Sequence, residues 1–247
     1  MPSYTAHPLT AADGGRFDVW LLEAAAPKGR LFLYHGYYAN RYQALGIAHG
    51  LRERGYEVAL FEMRGHGTRP GPCTLGVRER EDASLVIRWA QARSRGVTVP
   101  LGVLGLSMGA VIACQVAARH PEVRAVAVDS AYARFFPVLR ASLCRRYHVP
   151  AVPGVWVTWW TLELVLGARL AALDPIALAP RLHQPLLAIQ GGADRPEILR
   201  AGEELFQRWA GPKERWVEPD AGHVGMFSRH PEAYCNRVDA FFAQAFG

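Results

Sequence analysis

The chain has 247 residues, of which 50% are hydrophobic and 20% charged, with a formal net charge of +6. This length supports one substantial core within a single domain, 1–247, and the composition excludes a collagen, a disordered tail or a coiled coil. The positive charge is almost all arginine, since Lys28 and Lys213 are the only lysines, and it is scattered without a basic run, so no nucleic acid partner is indicated. Cys73, Cys114, Cys144 and Cys235 are far apart and form neither a CxxC nor a Cys/His pair with metal-ligand spacing, so no metal site or disulfide framework is implied. Met1 to Thr10 lacks a charged stretch followed by an apolar run, which makes a cytoplasmic enzyme with reduced thiols the expectation.

In chain order, Phe17 to Leu22 alternates apolar and polar residues, and Arg30 to Tyr34 is a short apolar run ending at His35-Gly36. They read as an amino-terminal strand or hairpin followed by a core strand. Tyr42 to Arg54 has helical spacing and stops at Gly55, and Glu57 to Phe61 is the next strand. A loop from Arg64 through Pro72 follows, then an amphipathic helix, Arg78 to Arg95, with Val86, Ile87 and Ala90 on its inner face. Val99 to Leu104 reads as a strand, Met108 to Arg119 as a helix and Ala125 to Asp129 as a strand. From Ala131 to Leu173 the β/α rhythm lapses. It returns with the strand Leu186 to Gln190, the helix Pro196 to Ala210, the strand Arg215 to Glu218 and the helix Pro231 to Phe246. The most apolar stretch, Val149 to Ala168, is interrupted by Pro150, Pro153, Gly154 and Glu163 and falls short of a spanning helix. Strands alternating with helices predict a mostly parallel sheet covered on both faces, with any active site at the carboxyl ends of its strands.

The sharpest signal at a strand exit is Gly105-Leu106-Ser107-Met108-Gly109, a G-x-S-x-G between an apolar strand and a helix. A nucleophile there sits on a tight turn that needs glycine on either side, with the helix amino terminus facing the reacting carbonyl. The plain alternative is a helix-capping serine. A serine hydroxyl needs a base. Of the nine histidines, His223 follows the last strand and precedes the last helix, over the same end of the sheet as Ser107. His35 and His66 fit loop-holding roles, and the others lie in termini, helices or helix ends. The orienting acid should also lie at a strand exit. Asp194 follows Gly191-Gly192-Ala193, a loop short enough to return its carboxylate beside the site, and is the expected acid; Asp129 ends the preceding strand and is its competitor, and Asp220 reads as a turn residue.

These motifs resemble those of the serine α/β-hydrolases over nearly the whole chain. The carriers are His35-Gly36, Glu62-Met63-Arg64-Gly65-His66-Gly67, the Ser107 turn, Gly191-Gly192-Ala193-Asp194 and Gly222-His223, in the order nucleophile, acid, histidine. Glu62 stands where the related loop usually has Asp, in a loop that is structural in the family. The resemblance implies an α/β-hydrolase fold of about eight strands flanked by helices, with a helical cap inserted at 131–173. It also implies an oxyanion hole made by the backbone N–H groups of Tyr37 and Met108, acyl transfer through an acyl-enzyme, and no cofactor. Serine at the turn argues against the dehalogenase and epoxide-hydrolase relatives, which use aspartate there.

Trp156, Trp159 and Trp160 recur at i, i+3 and i+4 within the insertion, in a segment apolar on nearly every side. Packing accounts for most of such a segment, and the excess makes these tryptophans, with Tyr38, candidate substrate contacts. The expected ligand is a small-molecule or lipid-like acyl substrate, and the insertion is a candidate for transient contact with a membrane surface. Arg134, Arg140, Arg145 and Arg146 of the same segment either meet solvent or receive an anionic group. The expected reaction is carboxylic-ester hydrolysis. Thioester or lysophospholipid hydrolysis, peptide cleavage and a non-catalytic binding role are the alternatives, because the fold alone does not choose among them.

Overall fold

The computed structural model describes residues 3–93 and 99–247. Among them one eight-stranded sheet is formed by β1 (Thr5–Thr10), β2 (Arg16–Leu22), β3 (Gly29–Tyr34), β4 (Tyr56–Phe61), β5 (Leu101–Leu106), β6 (Val123–Asp129), β7 (Leu186–Gly191) and β8 (Lys213–Glu218). The helices are α1 (Tyr42–Glu53), α2 (Glu79–Ala92), α3 (Met108–Arg119), α4 (Phe135–Arg146), α5 (Trp156–Leu166), α6 (Pro175–Leu178), α7 (Pro196–Arg208), α8 (Met226–Arg229) and α9 (Pro231–Phe246). The strand order is β1-β2-β4-β3-β5-β6-β7-β8. The β1/β2 and β2/β4 pairs are antiparallel and all others parallel, so the sheet is mostly parallel as expected.

Strands β3, β5 and β7 are buried along their whole length, which is why they read as continuous apolar runs. Alternate side chains of a strand point to opposite faces, so neighbouring residues enter different cores. Leu31 and Leu33 pack with Ile47 and Leu51 of α1 and with Val238 and Phe242 of α9. Phe32 and Tyr34 pack on the other face with Val86 and Ile87 of α2 and Ile112 and Val116 of α3. Each fully buried leucine contributes roughly 2 kcal/mol relative to exposure. These two layers hold the central strands rigidly and leave their carboxyl ends to present loops.

The elements differ from the sequence reading at several places; β6 and β8, for example, each begin two residues earlier, at Val123 and Lys213. Strand β1 is absent from that reading; it pairs with β2 along the sheet edge, where Pro8 is tolerated because only one neighbour asks for a hydrogen bond. Strand β5 begins and ends two residues later than its apolar run suggests, since Pro100 has no N–H and the register with β3 and β6 carries pairing through Leu106. The helix read as Arg78 to Arg95 is α2, Glu79–Ala92, and its last two residues lie outside the described residues. No helix among the described residues is long and apolar enough to cross a membrane. Between β6 and β7, residues 131–173 contain α4, a π-helical turn at Ala151–Val155, α5 and a 3₁₀ turn at Leu170–Leu173.

Candidate active site

Strand β5 runs directly into Ser107, and α3 starts at the next residue. Ser107 has φ 54°, a value that L-residues adopt at a steric cost and that turns the chain sharply enough to stand the side chain above the sheet. The flanking glycines are required by close backbone approach. A Cβ on Gly105 would lie 2.1 Å from the Gly109 carbonyl oxygen, and one on Gly109 would lie 2.1 Å from the Tyr34 carbonyl oxygen. The G-x-S-x-G pattern is thus the only way to fit α3 this close to β5 and β3.

His223 follows β8, with its Nε2 2.8 Å from Ser107 Oγ and its Nδ1 2.6 Å from Asp194 Oδ2. Nδ1–H donating to the carboxylate leaves Nε2 free to accept the serine proton. Asp194 is buried after β7, and its other oxygen accepts the N–H of Arg195 at 2.7 Å. The loops carrying acid and base are tied together, with Ala193 N–H donating to Ala221 O at 2.9 Å. Asp129 accepts hydrogen bonds from Ser130 Oγ at 3.0 Å and Tyr234 OH at 3.1 Å, and makes none to the imidazole. Burial pushes its carboxyl up to about 6. Asp220 is exposed in its turn.

Tyr37 follows Gly36 at the exit of β3. A Cβ on Gly36 would lie 3.4 Å from Ser107 Cβ, so this loop runs beside the serine. Among the described residues, the N–H groups of Tyr37 and Met108 donate to no protein acceptor. His35 and His66 support the surrounding loops: His35 Nδ1–H donates to Gly36 O at 2.8 Å while its Nε2 accepts Met63 N–H at 3.0 Å, and His66 Nδ1–H donates to Arg64 O at 2.8 Å. Burial lowers the His35 imidazole to about 4, which keeps it neutral. Glu62 accepts both the N–H and the hydroxyl of Thr68 at 2.9 Å, a loop-closing role that Glu fills in place of Asp.

A cavity of about 480 Å³ opens at Ser107, Met108 and His223. Tyr37 and Tyr38 stand at its rim, with Tyr38 84% exposed. One long wall is α4, which turns Phe135, Val138, Leu139 and Leu143 toward it. Trp156, Trp159 and Trp160 do not line it, which corrects the expectation drawn from their spacing. Trp159 is consumed by packing on Phe135 and Phe136, with ring centroids 6.0 and 5.2 Å apart, and Trp156 by packing on Phe136 at 4.5 Å. Trp160 faces away and is 61% exposed. Sequence reasoning missed the α4 wall, although Phe135, Val138, Leu139, Ser142, Leu143 and Arg146 recur at i, i+3, i+4, i+7, i+8 and i+11, a single helical face. It also missed Ser130, whose Oγ accepts Val224 N–H at 2.9 Å beside the candidate base. Among the described residues no three His, Cys, Asp or Glu side chains cluster as metal ligands would.

A mostly parallel eight-stranded sheet with a strained serine between its central strand and a helix defines an α/β hydrolase. The chain belongs to the Hydrolase_4 family, described as serine aminopeptidase, S33, whose family model matches residues 25–159. It is 26% identical to the uncharacterized protein YqkD of Bacillus subtilis over 216 residues, covering 85% of this chain and 70% of that protein. It is 27% identical to the pimeloyl-[acyl-carrier protein] methyl ester esterase of Neisseria meningitidis serogroup A over 243 residues, covering 83% of this chain and 74% of that protein. Among solved structures, the esterase Pf2001 of Pyrococcus furiosus superposes with a TM-score of 0.79 at 22% identity, over 99% of this chain and 93% of that one. By family and by fold the chain is therefore an α/β hydrolase.

Proposed function

We propose that the protein is a serine hydrolase of carboxylic esters, working through an acyl-enzyme with Ser107 as nucleophile, His223 as base and acid, and Asp194 as the orienting carboxylate. The observation that carries this reading is the continuous hydrogen-bond chain Asp194–His223–Ser107, at 2.6 and 2.8 Å, opening into an apolar cavity. His223 Nε2 takes the hydroxyl proton as Ser107 Oγ bonds to the carbonyl carbon. The carbonyl oxygen becomes an oxyanion held by the backbone N–H groups of Tyr37 and Met108. Asp194 stabilises the imidazolium. His223 then passes its proton to the alcohol oxygen as the C–O bond breaks. Water, losing a proton to His223, attacks the acyl-enzyme carbonyl, and the bond to Ser107 Oγ breaks as His223 returns that proton to it, releasing the acid and the free serine. In this scheme residues 131–173 serve as a cap, with α4 as the acyl-facing wall, and no step calls on a metal or organic cofactor.

Ester cleavage is favoured over aminopeptidase action by the composition of the cavity. An aminopeptidase must hold the substrate's terminal ammonium, and among the described residues lining the cavity there is no aspartate or glutamate to do so. The test is labelling with a fluorophosphonate probe and turnover of p-nitrophenyl esters from acetate to palmitate. Ser107→Ala is expected to abolish labelling and to lower kcat by at least about 10³-fold with the fold intact by circular dichroism. Equal labelling of wild type and Ser107→Ala would overturn the reading.

A further inference from the structure

We propose that Arg146 and Arg195 form an anion subsite at the mouth of the cavity, selecting acyl esters whose alcohol part carries a phosphate monoester. This rests on the ester-hydrolase reading of Ser107 and adds a substrate class to it. Two guanidinium groups line the cavity, and among the described residues lining it there is no carboxylate to neutralise them. The neighbouring arginines of the same segment show the contrast. Arg134 is held bidentately by Glu204, and Arg145 by Glu197 at 2.6 Å, both on α7. Arg146 has no carboxylate partner among the described residues. Arg195 has a long pairing to Asp194, with Nε 3.9 Å from Oδ1, and a weaker attraction to Glu197; the other oxygen of Asp194 is committed to His223, and Glu197 to Arg145. The cavity is therefore lined by two arginines whose guanidinium groups no carboxylate holds by a hydrogen bond.

Both arginines line the same cavity, from the carboxyl end of α4 and the amino end of α7, two ends that the Arg145–Glu197 bond holds together. Arg145, adjacent to Arg146, bonds Glu197, which lies two residues beyond Arg195. Polarity changes along the cavity in the direction a substrate would lie. Met108, Tyr132 and Ile198 are buried at its inner end, and Arg146, Tyr147 and Arg195 are exposed at its mouth. The inward apolar stripe of α4 from Phe135 to Leu143 spans roughly 12 Å at the helical rise per residue, a bed for an acyl chain. With the acyl chain inward, the alcohol that leaves first points out between the guanidinium groups. A phosphate monoester has three terminal oxygens and can be shared by two guanidinium forks, whereas one bidentate fork already occupies both oxygens of a carboxylate.

The test compares kcat/KM for 1-decanoylglycerol 3-phosphate with that for 1-decanoylglycerol, below the micellar concentration of each and at low ionic strength. The phosphorylated ester is expected to be preferred by about tenfold, with the ratio falling toward one in the Arg146→Gln/Arg195→Gln double variant and in roughly 0.5 M salt. The ether analogue 1-O-decylglycerol 3-phosphate provides a readout independent of chemistry. By calorimetry it should bind Ser107→Ala about tenfold more tightly than 1-O-decylglycerol, and this advantage should vanish when both arginines are also replaced. A ratio near one in the wild type, or a ratio that the double variant leaves unmoved, overturns the subsite while neutral-ester turnover keeps the hydrolase reading. A charge preference for the monomethyl ester of decanedioic acid over methyl decanoate, without one for the glycerol phosphate, also overturns it, because the anion would then sit on the acyl side. Full turnover by Ser107→Ala would remove the hydrolase reading, and the ether binding would still decide the subsite.

Discussion

At the end of β6 two consecutive residues tie the candidate nucleophile to the candidate base. The Asp129 carbonyl accepts Ser107 N–H at 2.8 Å, and the Ser130 hydroxyl accepts Val224 N–H at 2.9 Å while donating to the Asp129 carboxylate. Ser130 and Val224 have φ 54° and 53°, and a β-branched residue in that region is an outlier held only by its surroundings. The bond between these two strained residues fixes the loop on which His223 stands. Ser130→Ala removes the acceptor and leaves Val224 N–H unpaired, at a stability cost of about 1–2 kcal/mol. Because the His223 loop then drifts, kcat on a p-nitrophenyl ester is expected to fall on the order of tenfold with KM within about twofold. Thermal unfolding and steady-state kinetics check this together. A stability loss with unchanged kcat would mean that the bond serves the fold alone.

On the scale of elements, α4 and α5 divide the labour that the sequence assigns to the tryptophans. Both helices are rich in apolar residues, and which face meets the cavity depends on how α4 docks against α7 through Arg134–Glu204 and Arg145–Glu197. Those pairs join residues 52 or more apart in sequence, and nothing local announces them. The Trp156–Trp160 run is denser in aromatic surface than the α4 stripe, so it attracts the substrate role while its buried member is in fact the packing anchor. The glycine-bounded turns are different: Gly105 and Gly109 are dictated by backbone approach within five residues, and the strands by burial on both faces, so the Ser107 turn, the core strands and the loops bearing Asp194 and His223 could be read directly. The short Gly191-Gly192-Ala193 loop at the end of β7 favours Asp194 over Asp129, which ends β6, and in the structure it is Asp194 that bonds His223 while Asp129 bonds Ser130 and Tyr234. The division of labour predicts distinct effects for three substitutions. Trp159→Ala should lower stability by about 3 kcal/mol, as expected for emptying a buried aromatic site, and Trp160→Ala by less than about 0.5 kcal/mol. Leu139→Trp should shift the p-nitrophenyl ester optimum toward shorter acyl chains, and Trp160→Ala should leave it in place. Chain-length profiles decide, and an optimum moved by Trp160→Ala would return the acyl wall to α5.

Across the whole molecule, three buried titratable groups pull stability in opposite directions as pH changes. Burial lowers His35 to about 4, below its ordinary 6.5, so its contribution is full above the ordinary value and is lost as pH falls through about 4. Burial raises Asp129 and Asp174 to about 6, above their ordinary 3.8. The folded chain holds these two protons more tightly than the unfolded chain, so their contribution is present below about 3.8 and lost as pH rises through about 6. An ionised Asp129 at neutral pH is thus a cost to the fold. It is placed where a negative charge helps the proposed reaction, since His223 is near enough for the two charges to favour one another and an imidazolium forms there during turnover. An asparagine side chain at this position would resemble the protonated carboxyl in shape and charge. Asp129→Asn is expected to gain up to about 2–3 kcal/mol of stability relative to wild type on going from about pH 4 to about pH 7.5, whatever fixed offset the altered hydrogen bonds to Ser130 and Tyr234 impose. Over the same substitution kcat at about pH 7.5 should fall, because the imidazolium that forms during turnover has lost a neighbouring negative charge. Denaturant unfolding at the two pH values measures the first effect and steady-state kinetics the second. A stability difference that does not change with pH would show that Asp129 is not held protonated by burial, and an unchanged kcat would show that its charge does not serve the reaction.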